Sequence, residues 1–537
     1  MTDGIGPALT RRGFLGATLA TGAAALLAGC GASEPQSGSG GTGSTGSAGG
    51  SAVPSGAPKR GGKLRIAATS GAGTALDPHQ VNATSGVKAA LYDALVEFDS
   101  KMNLVNGLAE VFEPADKDVT TWTIRVRDGV EWHSGKTLGA DDVEYTIRRI
   151  LDPKQPQAAA ALLGAIDPAG ITKLDKRTLR LKLKSPNSQL RWGFTPSFTA
   201  IVPVDFDPKN PVGTGPFKHG SFTPQQRWDG TRFDNYWRVD GGVPLDAVEF
   251  LGFANSGAAL NALLAGQVDA VPNVYPAQLQ RVQGRSDLIR LESESGLTIH
   301  DTMNCRKGQQ FEDPRVRKAF KLMFDRQQLV NTVYSGHGAI GNDVGCFPQW
   351  DPSTAPDLPA PVFDVDQAKS LLKAAGQEGM TVKLRVGNAV SGMQESAQVL
   401  QAQAKAAGVT VELDVVADPA QFYTDAYFSA QFQIDWHSTG AMYGSAYYYW
   451  LSKSGYNAAG YHNPQVDQLF DKAITQIGAD YDKTMQDMSR IIADEGPWLV
   501  WGRQNVIDLH TDKVTGAVPD ASGNGFAGNK LWNLAIA

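Results

Sequence analysis

Between about residues 366 and 416 the spacing of apolar residues changes period repeatedly, and this stretch constrains the fold more than any other. Ala368, Leu371, Leu372 and Ala375 line one face of a helix that Gly376 can end. Val382, Leu384 and Val386 then alternate as a strand, a second helix ends at Gly408, and Val409, Val411, Leu413 and Val415 form another strand. Helix and strand in alternation are the grammar of an α/β lobe with a mostly parallel sheet.

The same reading extends on both sides. Leu64 and Ile66 share one face of a short opening strand, and Val87, Ala90, Leu91, Ala94 and Leu95 fall at helical spacing over 87–96. Trp122, Ile124 and Val126 alternate up to Asp128-Gly129, which predicts a hairpin returning through Val130 and Trp132. Asp141 and Asp142 open a helix with Val143, Ile147, Ile150 and Leu151 on one face. Strands follow at Leu179–Leu183 and Val248–Leu251, and a helix around 258–265. Asp313 can cap a helix that Pro314 begins and that Val316, Phe320, Met323 and Phe324 line.

The N-terminus sets the compartment. Thr10-Arg11-Arg12 precedes Gly13-Phe14-Leu15, a run of small and apolar residues, and Leu27-Ala28-Gly29-Cys30. The apolar run falls short of the roughly 20 residues that span a bilayer, so residues 1–30 read as an export signal. The segment resembles a bacterial twin-arginine signal ending in a lipobox, which implies that Cys30 is lipidated. Residues 31–57 are nearly all Gly, Ser, Ala, Thr and Pro and read as a flexible linker. Gly38, Gly40 and Gly43 within it match a dinucleotide fingerprint by spacing, but no strand precedes them and no helix follows.

With 42% hydrophobic and 19% charged residues, the roughly 480 residues after the linker exceed one core and predict two or three lobes. A net charge of −6 without a long basic run argues against nucleic acid as a partner. With Cys30 assigned to lipid, Cys305 and Cys346 are left as either one disulfide or two buried thiols. The eight histidines are scattered, without zinc-site spacing, and no Gly-x-Ser-x-Gly elbow occurs. Metal, nucleophile and cofactor are therefore not expected. Gly135-Lys136-Thr137 lacks the earlier glycine of a phosphate loop and reads as a surface turn, and His133 and His462 as satisfied histidines.

A series of phrases runs in order from residue 60 to the C-terminal region: Gly61-Gly62-Lys63-Leu64-Arg65-Ile66-Ala67, Asp77-Pro78-His79, Leu91-Tyr92-Asp93-Ala94-Leu95, Trp132-His133, Ala140-Asp141-Asp142-Val143, Gly213-Thr214-Gly215-Pro216-Phe217, Val268-Asp269-Ala270, Asp313-Pro314-Arg315-Val316-Arg317, and Tyr461 through Asn463-Pro464 to Asp467. Together they resemble the family of extracytoplasmic solute-binding proteins of ABC importers that take oligopeptides, dipeptides and nickel complexes. The resemblance implies a type II periplasmic-binding-protein clamshell of two lobes with an extra domain. One lobe would be discontinuous (58–80, 210–300 and 500–537), the extra domain would span 81–209, and the other lobe 301–499. It also implies a monomer without enzymatic activity, held to the outer face of the cytoplasmic membrane by its lipid alone. Its partners would be a small solute, an ABC permease and the ATPase subunits.

For the solute, Trp436 and Tyr443 lead an aromatic run that includes Tyr447, Tyr448, Tyr449 and Trp450, while Trp192 and Phe198 are candidates for the opposite wall. Peptide-binding members of the family carry an acid shortly after the tryptophan that Trp436 matches. Here the run is Trp436-His437-Ser438-Thr439-Gly440, which leaves an oligosaccharide or a metal chelate as alternatives to a peptide. An exported cofactor-dependent enzyme is the alternative from another class.

Overall fold

The computed structural model describes residues 60–537 apart from 70–71, 81, 156, 158, 196–197, 240–241 and 346–350. The predicted export signal over 1–30, with Cys30, and the predicted linker over 31–57 lie outside the described residues.

Two mixed sheets, each with its own apolar cores, carry the architecture. A seven-stranded sheet runs Leu288–Ser293, Val506–Thr511, Ala270–Val271, Lys63–Ala68, Ala247–Gly252, Arg227–Arg232 and Phe217–Thr223 in spatial order. Leu64 and Ile66 are buried on its core side with Val248 and Phe250, as the opening alternation predicts. A five-stranded sheet runs Thr410–Val415, Thr381–Val386, Phe432–His437, Thr298–Met303 and Trp498–Leu499. Its helices Val365–Ala374 and Met393–Ala404 fall where the periodicity places them, and the strands they connect pair in parallel. The sheet is less parallel than predicted, because Thr298–Met303 enters antiparallel to Phe432–His437.

Among the described residues the chain passes between these sheets twice, at 294–297 and at 500–505, the second passage including the short strand Gly502–Gln504 that pairs with Gly338–Ile340. The two crossings are bonded to each other. The Ser295 hydroxyl donates to the Gln504 carbonyl at 2.7 Å, and the Gln504 amide donates to the Leu297 carbonyl at 2.7 Å. Paired crossings of this kind are the geometry of a hinge between two bodies.

A third core belongs to a four-stranded antiparallel sheet, Ala109–Pro114, Thr121–Val126, Thr178–Leu183 and Ile166–Lys173, covered by the helix Ala140–Ile150. Here the predicted hairpin fails. Thr121–Val126 is an interior strand with both edges taken by Ala109–Pro114 and Thr178–Leu183, so Val130 and Trp132 cannot pair with it. They turn instead into a short loop closed by a Glu131–Thr137 bridge, which holds the Gly135-Lys136-Thr137 turn.

The helix predicted over 87–96 is Ser85–Leu91. It stops because its last carbonyl is taken from outside: the Gly215 amide donates to Leu91 at 3.0 Å. A Cβ at Gly213 would lie 1.7 Å from the same oxygen, so only glycine permits this approach. The loop then satisfies a buried acid, as Asp93 accepts from the Thr214 hydroxyl (2.9 Å), the Tyr236 hydroxyl (3.1 Å) and the Trp237 indole (3.1 Å). His133 reaches the Gly215 carbonyl at 2.9 Å. Phrases far apart in the chain thus meet at one structural joint.

Candidate functional site

The Phe432–His437 strand ends at Trp436 and His437, and antiparallel pairing sets Ile299 opposite Trp436 and Thr298 opposite His437. Trp436 is half-buried and packs with Ile299 against the core of the five-stranded sheet. Thr439, just beyond the strand, accepts from the Gly296 amide at 3.0 Å, which ties the segment to the first crossing. The chain then enters the short helix Met442–Ser445 and a π-turn, Ala446–Trp450.

This aromatic run faces the four-stranded domain. Trp192 meets Tyr443 edge-on with ring centroids 6.2 Å apart, and a Cβ at Gly444 would sit 3.0 Å from the Trp192 ring. Phe98 backs Trp192 at 6.1 Å. The Asn187 amide donates to the Tyr443 hydroxyl at 3.4 Å, and the Tyr447 hydroxyl donates to the Ala161 carbonyl at 3.2 Å. Burial raises the Tyr443 phenol, so it stays protonated. The Trp192 indole nitrogen is buried without a hydrogen-bond partner among the described residues.

Of the residues singled out in sequence, the structure brings Trp192 and Tyr443 together. Trp436 packs against the core of the five-stranded sheet. Phe198 packs against the core of its own domain, with the Lys88 ammonium 4.4 Å from its ring. The Cys305 thiol donates to the Met303 carbonyl at 3.3 Å, and burial pushes it up to about 11. Its proposed partner Cys346 lies outside the described residues. His133 is hydrogen-bonded as expected, and His462 lies 2.6 Å from the Ser452 hydroxyl.

Sequence spacing gave no hint of one further cluster. His300 stands opposite Asp435 across the paired strands, and His437 is two residues on, so all three side chains leave the same face. One ligating atom from each lies within 4.8 Å of the others. The signal existed only in the strand register, which no local pattern discloses.

Comparison with known proteins follows the geometry. The model of the bacterial extracellular solute-binding proteins, family 5 Middle, matches residues 103–461. A glutathione-binding protein GsiB from Pectobacterium atrosepticum is 25% identical over 483 residues, covering 83% of this chain and 90% of the relative. Among solved structures, the binding protein AgaA in complex with agropinic acid, from A. tumefaciens R10, superposes with a TM-score of 0.74 at 25% identity, covering 89% of this chain and 99% of that one. The oligopeptide-binding protein AppA from Bacillus subtilis, in complex with a nonapeptide, gives a TM-score of 0.74 at 21% identity over 90% of this chain and all of that one.

Proposed function

The chain belongs to the bacterial extracellular solute-binding proteins of family 5, and from that premise we propose that it closes two lobes around a peptide or similar organic solute, lined by Trp192, Tyr443 and Trp436. Its fold is the type II periplasmic-binding-protein clamshell, and it serves an ABC importer as the substrate-binding component. The observation that carries the proposal is the pair of mutually bonded crossings at 294–297 and 500–505, with the Trp192–Tyr443 contact where the extra domain meets the second lobe. Solute that contacts both lobes stabilises the closed arrangement, which the permease and its ATPase subunits read, and no bond in the solute changes.

The lobes are divided as the resemblance suggests, at 58–80, 210–300 and 500–537 for one, 301–499 for the other, and 81–209 for the extra domain. Cys30 carries the lipid that holds this monomer to the outer face of the cytoplasmic membrane. Among the described residues no helix is long and apolar enough to cross a membrane. A bridge between Cys305 and Cys346 belongs to the same proposal, and forming it would take the Cys305 thiol, free in this structure, from the Met303 carbonyl.

The missing acid after Trp436 makes a free amino terminus a poor recognition element, since a buried charged hydrogen bond contributes about 1.5–3 kcal/mol. The relatives bind glutathione, agropinic acid and a nonapeptide, and a solute with amide and carboxylate acceptors suits the donor left by Trp192. The aromatic run favours a sugar-bearing solute as a second reading. Native mass spectrometry of the protein released gently from cells, compared with its denatured mass, tests the proposal. A co-purifying peptide or acid supports it, a stoichiometric redox cofactor overturns it, and solute retention unchanged in Trp192→Ala removes the cleft assignment.

A further inference from the structure

His300 and Asp435 face each other on paired strands of a central sheet, and His437 lies beside them on the same face. Strand pairing fixes these three positions more rigidly than a loop could. His300 is wholly buried and Asp435 nearly so. Neither ring nitrogen of His300 has a hydrogen-bond partner among the described residues, and neither does Nε2 of His437. An imidazole carries one donor and one acceptor when neutral, and leaving such a group unpaired in a dry interior is unfavourable. Three vacant nitrogen positions on two adjacent rings therefore call for a guest.

The surroundings are those of a metal centre. Trp498 covers both rings, with centroids 4.2 Å from His300 and 5.3 Å from His437. The Tyr449 hydroxyl lies 3.4 Å from Nδ1 of His437, leaving Nε2 of that ring for coordination. Asp435 is held from behind by the Trp436 amide at 2.8 Å, the Tyr423 hydroxyl at 3.4 Å and the Tyr427 hydroxyl. Its partners are two phenols and an amide, with no Lys or Arg among them. Groups that hydrogen-bond a ligating carboxylate in this way fix its orientation and sharpen metal affinity.

The geometry points to a site for one divalent first-row transition ion of the zinc class, held by His300, Asp435 and His437. Two imidazoles and a carboxylate suit zinc, cobalt or nickel and disfavour magnesium and calcium, which take oxygen donors. Tetrahedral bonds of about 2.1 Å require donors about 3.4 Å apart, closer than the 4.8 Å span of the cluster. The rings now lie stacked at 20°, and the half-buried His437 closes the gap by side-chain rotation. Three protein ligands leave a fourth position for water or for a donor atom of the solute. The site rests on protein side chains alone and does not depend on what the cleft carries.

Chelator-treated full-length protein titrated with cobalt alone tests this. Visible d–d absorption saturating at one ion per chain and abolished by zinc is expected. His437→Gln and Asp435→Asn should each weaken binding at least tenfold, while His462→Gln, at an exposed histidine, leaves it unchanged. Zinc should also raise the melting temperature of the wild type and not of His437→Gln, a readout that survives if a His300 variant fails to fold. Absence of a cobalt spectrum, or equal affinity in His437→Gln, overturns the site. A protein that retains organic solute yet binds no cobalt would overturn the ion site and leave the solute-binding reading intact.

Discussion

Trp192 and Tyr443 meet at 6.2 Å with their rings 61° apart, although 250 residues of chain lie between them. Such a pair contributes about 0.5–1.5 kcal/mol beyond the area it buries. Trp192→Ala should therefore weaken retention of the co-purifying solute about tenfold, as measured by isothermal titration, with an unchanged circular dichroism spectrum. Tyr443→Phe keeps the ring and loses only the long hydrogen bond from Asn187, so its effect should be a few-fold at most.

Arg326 and Asp343 form a bidentate ion pair at 2.9 and 2.8 Å that is almost wholly buried. The guanidinium also donates to the carbonyls of Gly341, Val500 and Lys321. Removing one member strands the other, at a cost of about 3–5 kcal/mol. Arg326→Met should shift the urea midpoint down accordingly, and a midpoint within error of wild type would refute this account.

Burial pushes the Asp508 carboxyl up to about 7, against the pull of the Asn273 and Ala527 amides at 2.9 Å, with nearby Asp520 adding to the rise. The folded chain thus holds a proton between the ordinary value of 3.8 and about 7 that the unfolded chain has lost. Stability from this group is complete below about pH 4 and declines as pH rises to 7, by something on the order of 4 kcal/mol. Asp508→Asn should flatten that part of the pH–stability curve, even though its amide nitrogen faces a donor and lowers the whole curve by about 1–3 kcal/mol.

The Gly213 position admits no side chain, since a Cβ would meet the Leu91 carbonyl at 1.7 Å. Gly213→Ala should displace the loop, release Thr214 from Asp93 and leave a buried carboxylate under-satisfied. A loss of about 2–4 kcal/mol is expected by chemical denaturation. The exposed Gly135, whose Cβ would meet nothing within 4 Å but whose φ is +81°, should cost about 1 kcal/mol when replaced by Ala.

Sequence pattern disclosed the elements whose burial is one-sided and periodic. The Val365–Ala374 helix and the Thr381–Val386 and Thr410–Val415 strands read directly. Pairing was less legible. Trp122, Ile124 and Val126 alternate as any strand does, and nothing local says that both edges are taken by residues up to 60 positions away. The same limit applied to the site. Aromatic density drew attention to Tyr443, and the structure sets its ring against Trp192. His300 and His437, by contrast, are neighbours only through strand register, and 136 residues intervene.

Cys30→Ala should release the protein from membranes into the soluble fraction after cell lysis, and continued sedimentation with membranes would count against the lipid anchor.

The two crossings between the sheets are short and bonded to each other through Ser295, Leu297 and Gln504. A body joined to another by two braced straps has essentially one way to swing. What the transporter meets on the outside is then a posture, open or shut, rather than any feature of the cargo. On the proposed cleft, lineages could exchange one cargo for another by altering its lining rings while the outward posture, and hence the fit to the transporter, stayed as it was.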